Sequence, residues 1–184
     1  MDNLECTRLA MKQMVLESQP ISIEEFNKVL EAHDTFLLYG GAGGVWETFY
    51  IKNMIFGVYR GPNPAQGTQA KLGFHDLREI QLTGIVLPYA DCSAILCLDK
   101  NWSRADLEGS LFIDSILNNC SFQDSDLYGA DFSRSEMKHC NFRGANLLKT
   151  DFENCDLSGS DFRGAKIDQS TLFKNAILEN VLMD

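Results

Sequence analysis

The sequence predicts a mainly β protein: a long C-terminal part built as a four-sided coil of short extended segments, preceded by a small N-terminal α/β part. Large apolar residues recur at every fifth position, as at Leu127, Phe132, Met137 and Phe142. A helix face recurs at a mean of 3.6 residues and a strand face at 2, so neither accounts for a period of five. Phenylalanine also recurs at every tenth position within this repeat, and the first 69 residues contain no repeat.

The five-residue register is expected to run without a slip from Ala70 to Asp184, with an apolar residue at the centre of each five. In this register the last three centres are Leu172, Ile177 and Leu182. A small residue usually stands two positions before the centre, as at Ala130 and Ala145. We expect the centre and this small residue to point inward and the other three residues to face water.

Two kinds of centre alternate, and this alternation favours four sides. Phenylalanine occupies positions 112, 122, 132, 142, 152 and 162, while Leu, Met or Ile occupies the centres between them. With four five-residue repeats in each turn, phenylalanine stacks on phenylalanine and the other centres stack on one another. A three-sided coil would mix the two kinds of centre in each stack. Stacked coils bury an inner face that a single coil cannot bury. At roughly 4.8 Å between coils, residues 70–184 would form nearly six coils in a rod about 28 Å long.

The repeats resemble the pentapeptide-repeat family, whose motif is A-[D/N]-L-x-x. The best matches are ADLEG (105–109), SDLYG (125–129), ADFSR (130–134), CNFRG (140–144), ANLLK (145–149), CDLSG (155–159) and SDFRG (160–164). The resemblance covers residues 70–184 and implies a right-handed quadrilateral β-helix, the pentapeptide-repeat solenoid. It indicates little about function, because one fold serves many functions.

Residues 1–69 are predicted to form a separate segment of helices and short strands. Ser22 and Glu25 make a capping-box pattern at the start of SIEEFNKVLEAH. One face of that helix is expected to hold Ile23, Phe26, Val29 and Leu30. A further helix is expected within residues 3–18, and FLLY, VWETFYI and MIFGVY are expected to be short strands around the turn GGAGG, before the link GPNPAQGTQ. The segment is expected to cap the open end of the coil, to bind a partner, or to do both.

Two groups of large apolar residues fall at outward positions of the predicted coil. The first group, here called the aliphatic patch, is Leu96, Leu98, Leu111, Ile113 and Ile116. Such a patch needs a cover, which is either residues 1–69 folding back or a partner or dimer interface. The second group, here called the C-terminal cluster, is Phe173, Leu178, Val181 and Met183. It indicates either a frayed or partly covered end, or self-association from end to end.

Charge suggests a second function. The formal net charge of −10 argues against a general nucleic-acid binder, which needs basic surface. Within the family that the sequence resembles, some proteins bind DNA gyrase by imitating acidic duplex DNA. The corresponding acidic wall would consist of Asp91, Asp131, Asp151 and Glu153. The mixed-sign neighbours Arg134, Lys138 and Lys149 argue instead for an ordinary solvated surface. A row of arginines on another wall, Arg104, Arg143 and Arg163, is a further departure from the gyrase-binding proteins.

Catalytic, metal and cofactor sites are not predicted. The six cysteines form no C-x-x-C pair, and GGAGG lacks the lysine and the helix that follow a phosphate-binding loop. Cys120 and Cys140 are inward and one coil apart, so they are either a disulfide or buried thiols, and we favour thiols. No signal peptide or membrane-spanning run is evident, which predicts a cytoplasmic location. The sequence therefore predicts a non-enzymatic protein–protein interaction scaffold with an unidentified protein partner and a homodimer through the C-terminal coil, with the gyrase-binding DNA mimic as the alternative.

Overall fold

A computed structural model describes residues 3–39, 41, 45–51, 54–60 and 69–184 of the chain. Its helices and strands are α1 (Asn3–Leu16), β1 (Gln19–Pro20), α2 (Ile23–Leu38), β2 (Val45–Ile51), β3 (Met54–Arg60) and β4 (His75–Asp76). From Lys71 onward, the chain forms a coil whose extended segments are mostly isolated residues in parallel bridges. None of the helices in these residues is long and apolar enough to cross a membrane.

The coil has four walls and twenty residues in each turn, as the sequence predicts. Along one wall, Leu111 pairs with Asp91 above it and with Asp131 below it. Three further ladders of the same kind complete the square. At the corners the chain enters the left-handed region, where glycine has no steric penalty. The corner glycines at 109, 129, 144, 159 and 164 all have positive φ between 61° and 73°.

Stacked aromatic rings fill the interior of the coil. The ring of Phe132 lies 4.8 Å from that of Phe112 and 5.5 Å from that of Phe152, nearly parallel to both. A second column contains Phe122 and Phe142, whose ring centroids are 5.4 Å apart. Rings in different columns meet edge to face. Both geometries are favourable for aromatic pairs, so the alternation in the sequence produces two continuous stacks.

The small residues two positions before each centre also form hydrogen bonds. The hydroxyl of Ser135 donates to the carbonyl oxygen of Phe112 at 2.6 Å, in the preceding coil. The thiol of Cys120 donates to the carbonyl of Cys97 at 2.9 Å. Cys140 makes the same kind of contact, and both cysteines are free and buried, as the sequence analysis favoured. These contacts satisfy buried donors that would otherwise destabilise the interior.

The prediction of an unbroken register is wrong after Lys166. Lys166 pairs with Asn146, twenty residues earlier, whereas Leu172 pairs with Asp151, twenty-one residues earlier. One extra residue is accommodated between them, where the side chain of Asp168 accepts a hydrogen bond from the N–H of Ser170 at 2.7 Å. In the last coil, residues 166–184, the slip moves the inward and outward positions by one residue from Thr171 onward.

Helix α2 packs against the first coil through its apolar face. The hydroxyl of Ser22 accepts a hydrogen bond from the N–H of Glu25 at 3.1 Å, which confirms the predicted start. Phe26 is buried in the main core, whereas Ile23, which shares its helical face, is 67% exposed. The predicted strand FLLY is wrong, because Phe36–Leu38 continue the helix.

β2 and β3 occupy the predicted strands VWETFYI and MIFGVY and pair antiparallel. Ile51 pairs with Met54, so GGAGG, which precedes β2, does not join the two strands. Apart from Gly41 and Gln69, GGAGG and the link GPNPAQGTQ lie outside the described residues.

β1 extends one wall of the coil at its N-terminal edge. Gln19 and Pro20 pair in parallel with His75 and Asp76. The wall then continues through further bridges, so it consists of Asp76, Leu96, Ile116, Glu136, Asp156 and Ile177; it is here called the α1 wall. At the same edge, the buried ring of His33 in α2 accepts a hydrogen bond from the N–H of Ala70 at 3.0 Å. Burial lowers the pKa of His33 to about 4, so this ring is neutral at pH 7.

Candidate functional site

The acidic residues that precede the centres have a structural role. The carboxylate of Asp131 accepts the N–H of Ser133 at 2.8 Å, and that of Asp151 accepts the N–H of Glu153 at 2.7 Å. Asp or Asn makes the same bond two residues onward at positions 76, 91, 101, 106, 126, 141, 156, 161 and 168. These side chains therefore hold the turns in place, as expected of short polar residues there.

The structure brings three members of the acidic wall onto one ladder. Asp91, Asp131 and Asp151 share it, with Leu111 between the first two. Burial raises the pKa of Asp131, and burial together with the charge of Asp131 raises the pKa of Asp151. Glu153 lies two residues after Asp151 in the same turn, and its carboxylate is 3.4 Å from the ammonium of Lys174. The acidic wall is thus partly buried and partly neutralised.

Cations and anions alternate on the other walls. The guanidinium of Arg163 forms two hydrogen bonds with Asp161, and that of Arg143 lies 3.7 Å from the same carboxylate. The hydrogen bonds from Arg163 lower the pKa of Asp161 to about 2. Arg134 and Asp114 form an ion pair between adjacent coils, and Lys138 lies 3.0 Å from Asp156. Surface pairs of this kind stabilise a protein by little, but here they interrupt any continuous field of one sign.

The aliphatic patch is not exposed. Its members Leu96, Leu111, Ile113 and Ile116 are each 4% exposed or less, although all occupy outward positions of the coil. Met11 and Val15 of α1 pack directly on Leu96 and Ile116, with Leu98 at the margin. In this structure, therefore, part of the N-terminal segment occupies the place that a partner would need. Whether the patch also serves as an interface stays a prediction.

A second contact of the N-terminal segment falls on a corner of the coil. The indole N–H of Trp46 in β2 donates to the carbonyl oxygen of Gly109 at 2.8 Å. The ring of Tyr89 lies so close to Gly109 that a Cβ there would approach it to 2.7 Å. Glycine at this corner thus leaves room for the tyrosine ring. Sequence reasoning missed this contact, because nothing in the repeat distinguishes Gly109 from the other corner glycines.

The C-terminal cluster occupies inward positions, so its predicted outward placement is wrong. Phe173 stacks on Phe152 with 5.4 Å between ring centroids and an interplanar angle of 12°. Leu178 and Met183 are the following centres, and Val181 takes the small-residue position. The residues that were expected to be centres face outward instead: Leu172 is 45% exposed, Ile177 47% and Leu182 48%. The physical reason is the extra residue near Asp168.

The last coil nevertheless presents an apolar surface in two directions. Leu178 and Met183 point inward but are 41% and 47% exposed, because no further coil packs beneath them among the described residues. Phe152, Leu157 and Phe162 are centres of the preceding coil, and their N–H groups donate to carbonyl oxygens of the last coil at 2.8–2.9 Å. Within the residues that the structure describes, the last coil lacks such a neighbour. It therefore combines exposed apolar side chains with an open β edge.

In the part of the chain that the structure describes, no three His, Cys, Asp or Glu side chains lie together in a group that could hold a metal ion. Burial raises the pKa of the Cys92, Cys97 and Cys140 thiols well above their ordinary value, so these thiols are poor nucleophiles.

The similarity of this chain to known proteins lies in the repeat. The family model described as "Pentapeptide repeat region" matches residues 99–172. The pentapeptide repeat protein Rfr23 from the cyanobacterium Cyanothece is 19% identical, with a TM-score of 0.54 over 59% of this chain and 91% of Rfr23. This likeness shows the fold alone, the quadrilateral β-helix that the sequence resemblance implies. No curated protein sequence matches the chain.

Two other solved structures share parts of the coil. HetL, a pentapeptide repeat protein involved in heterocyst differentiation regulation from the cyanobacterium Nostoc, is 22% identical over 63% of this chain and 54% of its own, with a TM-score of 0.39. QnrB1, a plasmid-mediated fluoroquinolone resistance protein, is 16% identical over 64% of each chain, with a TM-score of 0.30. Neither likeness is close enough to compare sites or partners.

Proposed function

The chain contains a pentapeptide-repeat region, and from this premise we propose that it is a non-enzymatic protein–protein interaction scaffold. Residues 1–69 would cap the N-terminal edge of the rod, where β1 pairs with β4 and Phe26 enters the core. The last coil would be the contact surface. The cytoplasmic location expected from the sequence belongs to the same proposal.

The exposed apolar surface of the last coil is the observation that carries this proposal. Leu178, Met183, Ile177 and Leu182 are each between 41% and 48% exposed. Apolar surface of this density beside an open β edge favours association with another protein. In the earlier coils, the turn-forming acids and the ion pairs give the walls polar groups, although Val86 is 49% exposed.

A second copy of the chain is the proposed partner at this surface. Two copies related by a twofold axis would each bring the same last coil to the contact, which is the usual symmetry of a homodimer. Leu178 and Met183 of each copy would then cover those of the other. The edge N–H and C=O groups would gain hydrogen-bond partners at the same time.

Sedimentation velocity with a charge substitution tests the dimer. Leu178→Arg places a charge in the proposed contact, and Leu16→Arg places one on an α1 side chain of similar exposure, 47% against 41%. We expect wild type and Leu16→Arg to sediment as dimers at micromolar concentration and Leu178→Arg as a monomer. A monomeric wild type, or equal behaviour of the two variants, would contradict the proposed partner.

The DNA mimic stays second, supported by the shared ladder of Asp91, Asp131 and Asp151. The turn bonds, the partial burial and the nearby Lys174 weaken it. A DNA gyrase supercoiling assay, with and without a quinolone, tests it directly. Inhibition by the protein that Glu153→Lys abolishes would support the mimic, whereas no effect at large molar excess would eliminate it.

A further inference from the structure

Helix α1 is attached to the α1 wall by a small set of contacts. Met11 is 9% exposed and Val15 is fully buried, and both lie on Leu96 and Ile116. Because they are four residues apart, they occupy one face of the helix. The ammonium of Lys12 forms an ion pair with the carboxylate of Glu136, one coil further along the wall. Within residues 9–16, the part of α1 whose side chains the structure describes, two apolar side chains and one cation make this contact.

Among the α1 side chains that the structure describes, at residues 9–16, three large apolar ones are largely exposed. Leu9, Met14 and Leu16 are 53%, 49% and 47% exposed. Between the helix and the wall runs a groove with a volume of about 340 Å³, lined in part by Leu9 and Met11 on one side and by Asp156 and Ile177 on the other. The helix therefore covers the wall without filling the space against it.

Release of α1 would leave the rest of the fold in place. Only Glu17 and Ser18 separate α1 from β1, and β1 is paired with β4 at the edge of the coil. The solenoid core contains none of the α1 side chains that the structure describes, those of residues 9–16. α1 has 14 residues, and isolated helices shorter than about 12–15 residues are marginal in water, so its helical state depends on docking.

We propose that the α1 wall is a helix-binding site, that α1 is its intramolecular occupant, and that an amphipathic helix of a partner protein displaces it. α1 itself indicates the partner's chemistry. The partner helix presents two aliphatic side chains four residues apart to Leu96 and Ile116, and a lysine or arginine between them to Glu136. This site extends the proposed scaffold function to one wall of the rod, which reaches the last coil at Ile177, and it does not require the dimer.

Because α1 belongs to the same chain, it competes with a partner helix for the α1 wall. A segment held by a short linker acts at an effective concentration on the order of millimolar. A partner helix with the same contacts is therefore excluded unless it binds more tightly or α1 is weakened. Weakening α1 in the full chain should open the site without removing any residue of the wall.

The test uses full-length protein and a fluorescein-labelled peptide with the sequence of residues 1–18, Cys6 replaced by Ser. The variant Met11→Asp/Val15→Asp disables the docking face of α1, and Met14→Asp/Leu16→Asp changes its exposed face as the matched control. By fluorescence anisotropy we expect the first variant to bind the peptide at least tenfold more tightly than wild type or the control. Adding Ile116→Asp to the first variant should abolish binding.

Equal peptide affinity in all variants, or no binding to the first variant while its circular dichroism retains the wild-type solenoid signal, would overturn the proposal. If that variant does not fold, amide hydrogen exchange of wild type tests whether α1 is released independently of the solenoid. We expect the amides of α1 to exchange through an opening that leaves those of the solenoid protected. Exchange of α1 only together with the solenoid would contradict a releasable helix. Adding Leu178→Arg to the first variant separates this result from the dimer, because the protein should then sediment as a monomer and still bind the peptide as the first variant does.

Discussion

Truncation of Phe173 should destabilise the protein far more than truncation of its neighbour Leu172. Phe173 is partly buried, stacks on Phe152 at 5.4 Å and meets the ring of Phe162 edge to face at 5.9 Å. Replacement of a fully buried phenylalanine by alanine lowers the free energy of unfolding by about 3–5 kcal/mol. Because Phe173 covers the open end of the core and is buried only in part, we expect about 2 kcal/mol. Leu172 is 45% exposed, and Leu172→Ala should change stability by about 0.5 kcal/mol or less.

Urea denaturation followed by circular dichroism measures both variants, with wild type under the same conditions. Repeat proteins can unfold from one end, so hydrogen exchange in the last coil should accompany the global measurement. An unbroken five-residue register would place Leu172 inside and Phe173 outside. A larger loss of stability in Leu172→Ala than in Phe173→Ala would therefore refute the register slip.

Two substitutions of aspartate should have opposite effects on thermal stability. Burial raises the pKa of Asp131, so the charged carboxylate destabilises the fold above that pKa. Asp131→Asn should therefore raise the Tm at pH 7. This gain should disappear as the pH falls through the raised pKa. Arg163 lowers the pKa of Asp161 to about 2, so Asp161→Asn should lower the Tm at pH 7, and that loss should vanish between the ordinary pKa of 3.8 and about 2. A melting series from pH 2 to pH 7 measures both, and a common sign would contradict the assignment. Ala145→Leu should overpack the narrow interior and lower the free energy of unfolding by about 1–3 kcal/mol in urea, whereas an unchanged urea midpoint would mean that the interior has spare room.

The repeat was predictable because it rests on local rules that act at every coil. The centre must be apolar, the residue two before it must be small, and the residue one before it bonds the turn, so the pattern itself indicates the four walls. The register slip near Asp168 was not predicted, because Leu172, Ile177 and Leu182 are as apolar as the true centres. Three signals indicate the correct register after the fact. Phe173 continues the column of Phe152, and Asn175 and Asn180 occupy corners with positive φ, where asparagine is favoured.

The site was only partly predictable for a different reason. The outward position of Leu96 and Ile116 follows from the register, but which element covers them depends on tertiary packing over more than 80 residues of sequence. Nothing in the sequence of α1 sets Met11 and Val15 apart from the exposed Met14. The strand predicted at FLLY failed because α2 runs to Leu38 and propensity yields to tertiary context.

Hydrogen exchange of the last coil at increasing protein concentration tests the central claim most directly. The N–H groups of Phe173, Leu178 and Met183 correspond to those that link each earlier coil to the next. If the last coil is the contact surface of a dimer, these amides should exchange rapidly at nanomolar concentration and become protected as the dimer forms, while α2 amides stay unchanged. Rapid exchange at every concentration would contradict the proposal that the protein associates through this coil.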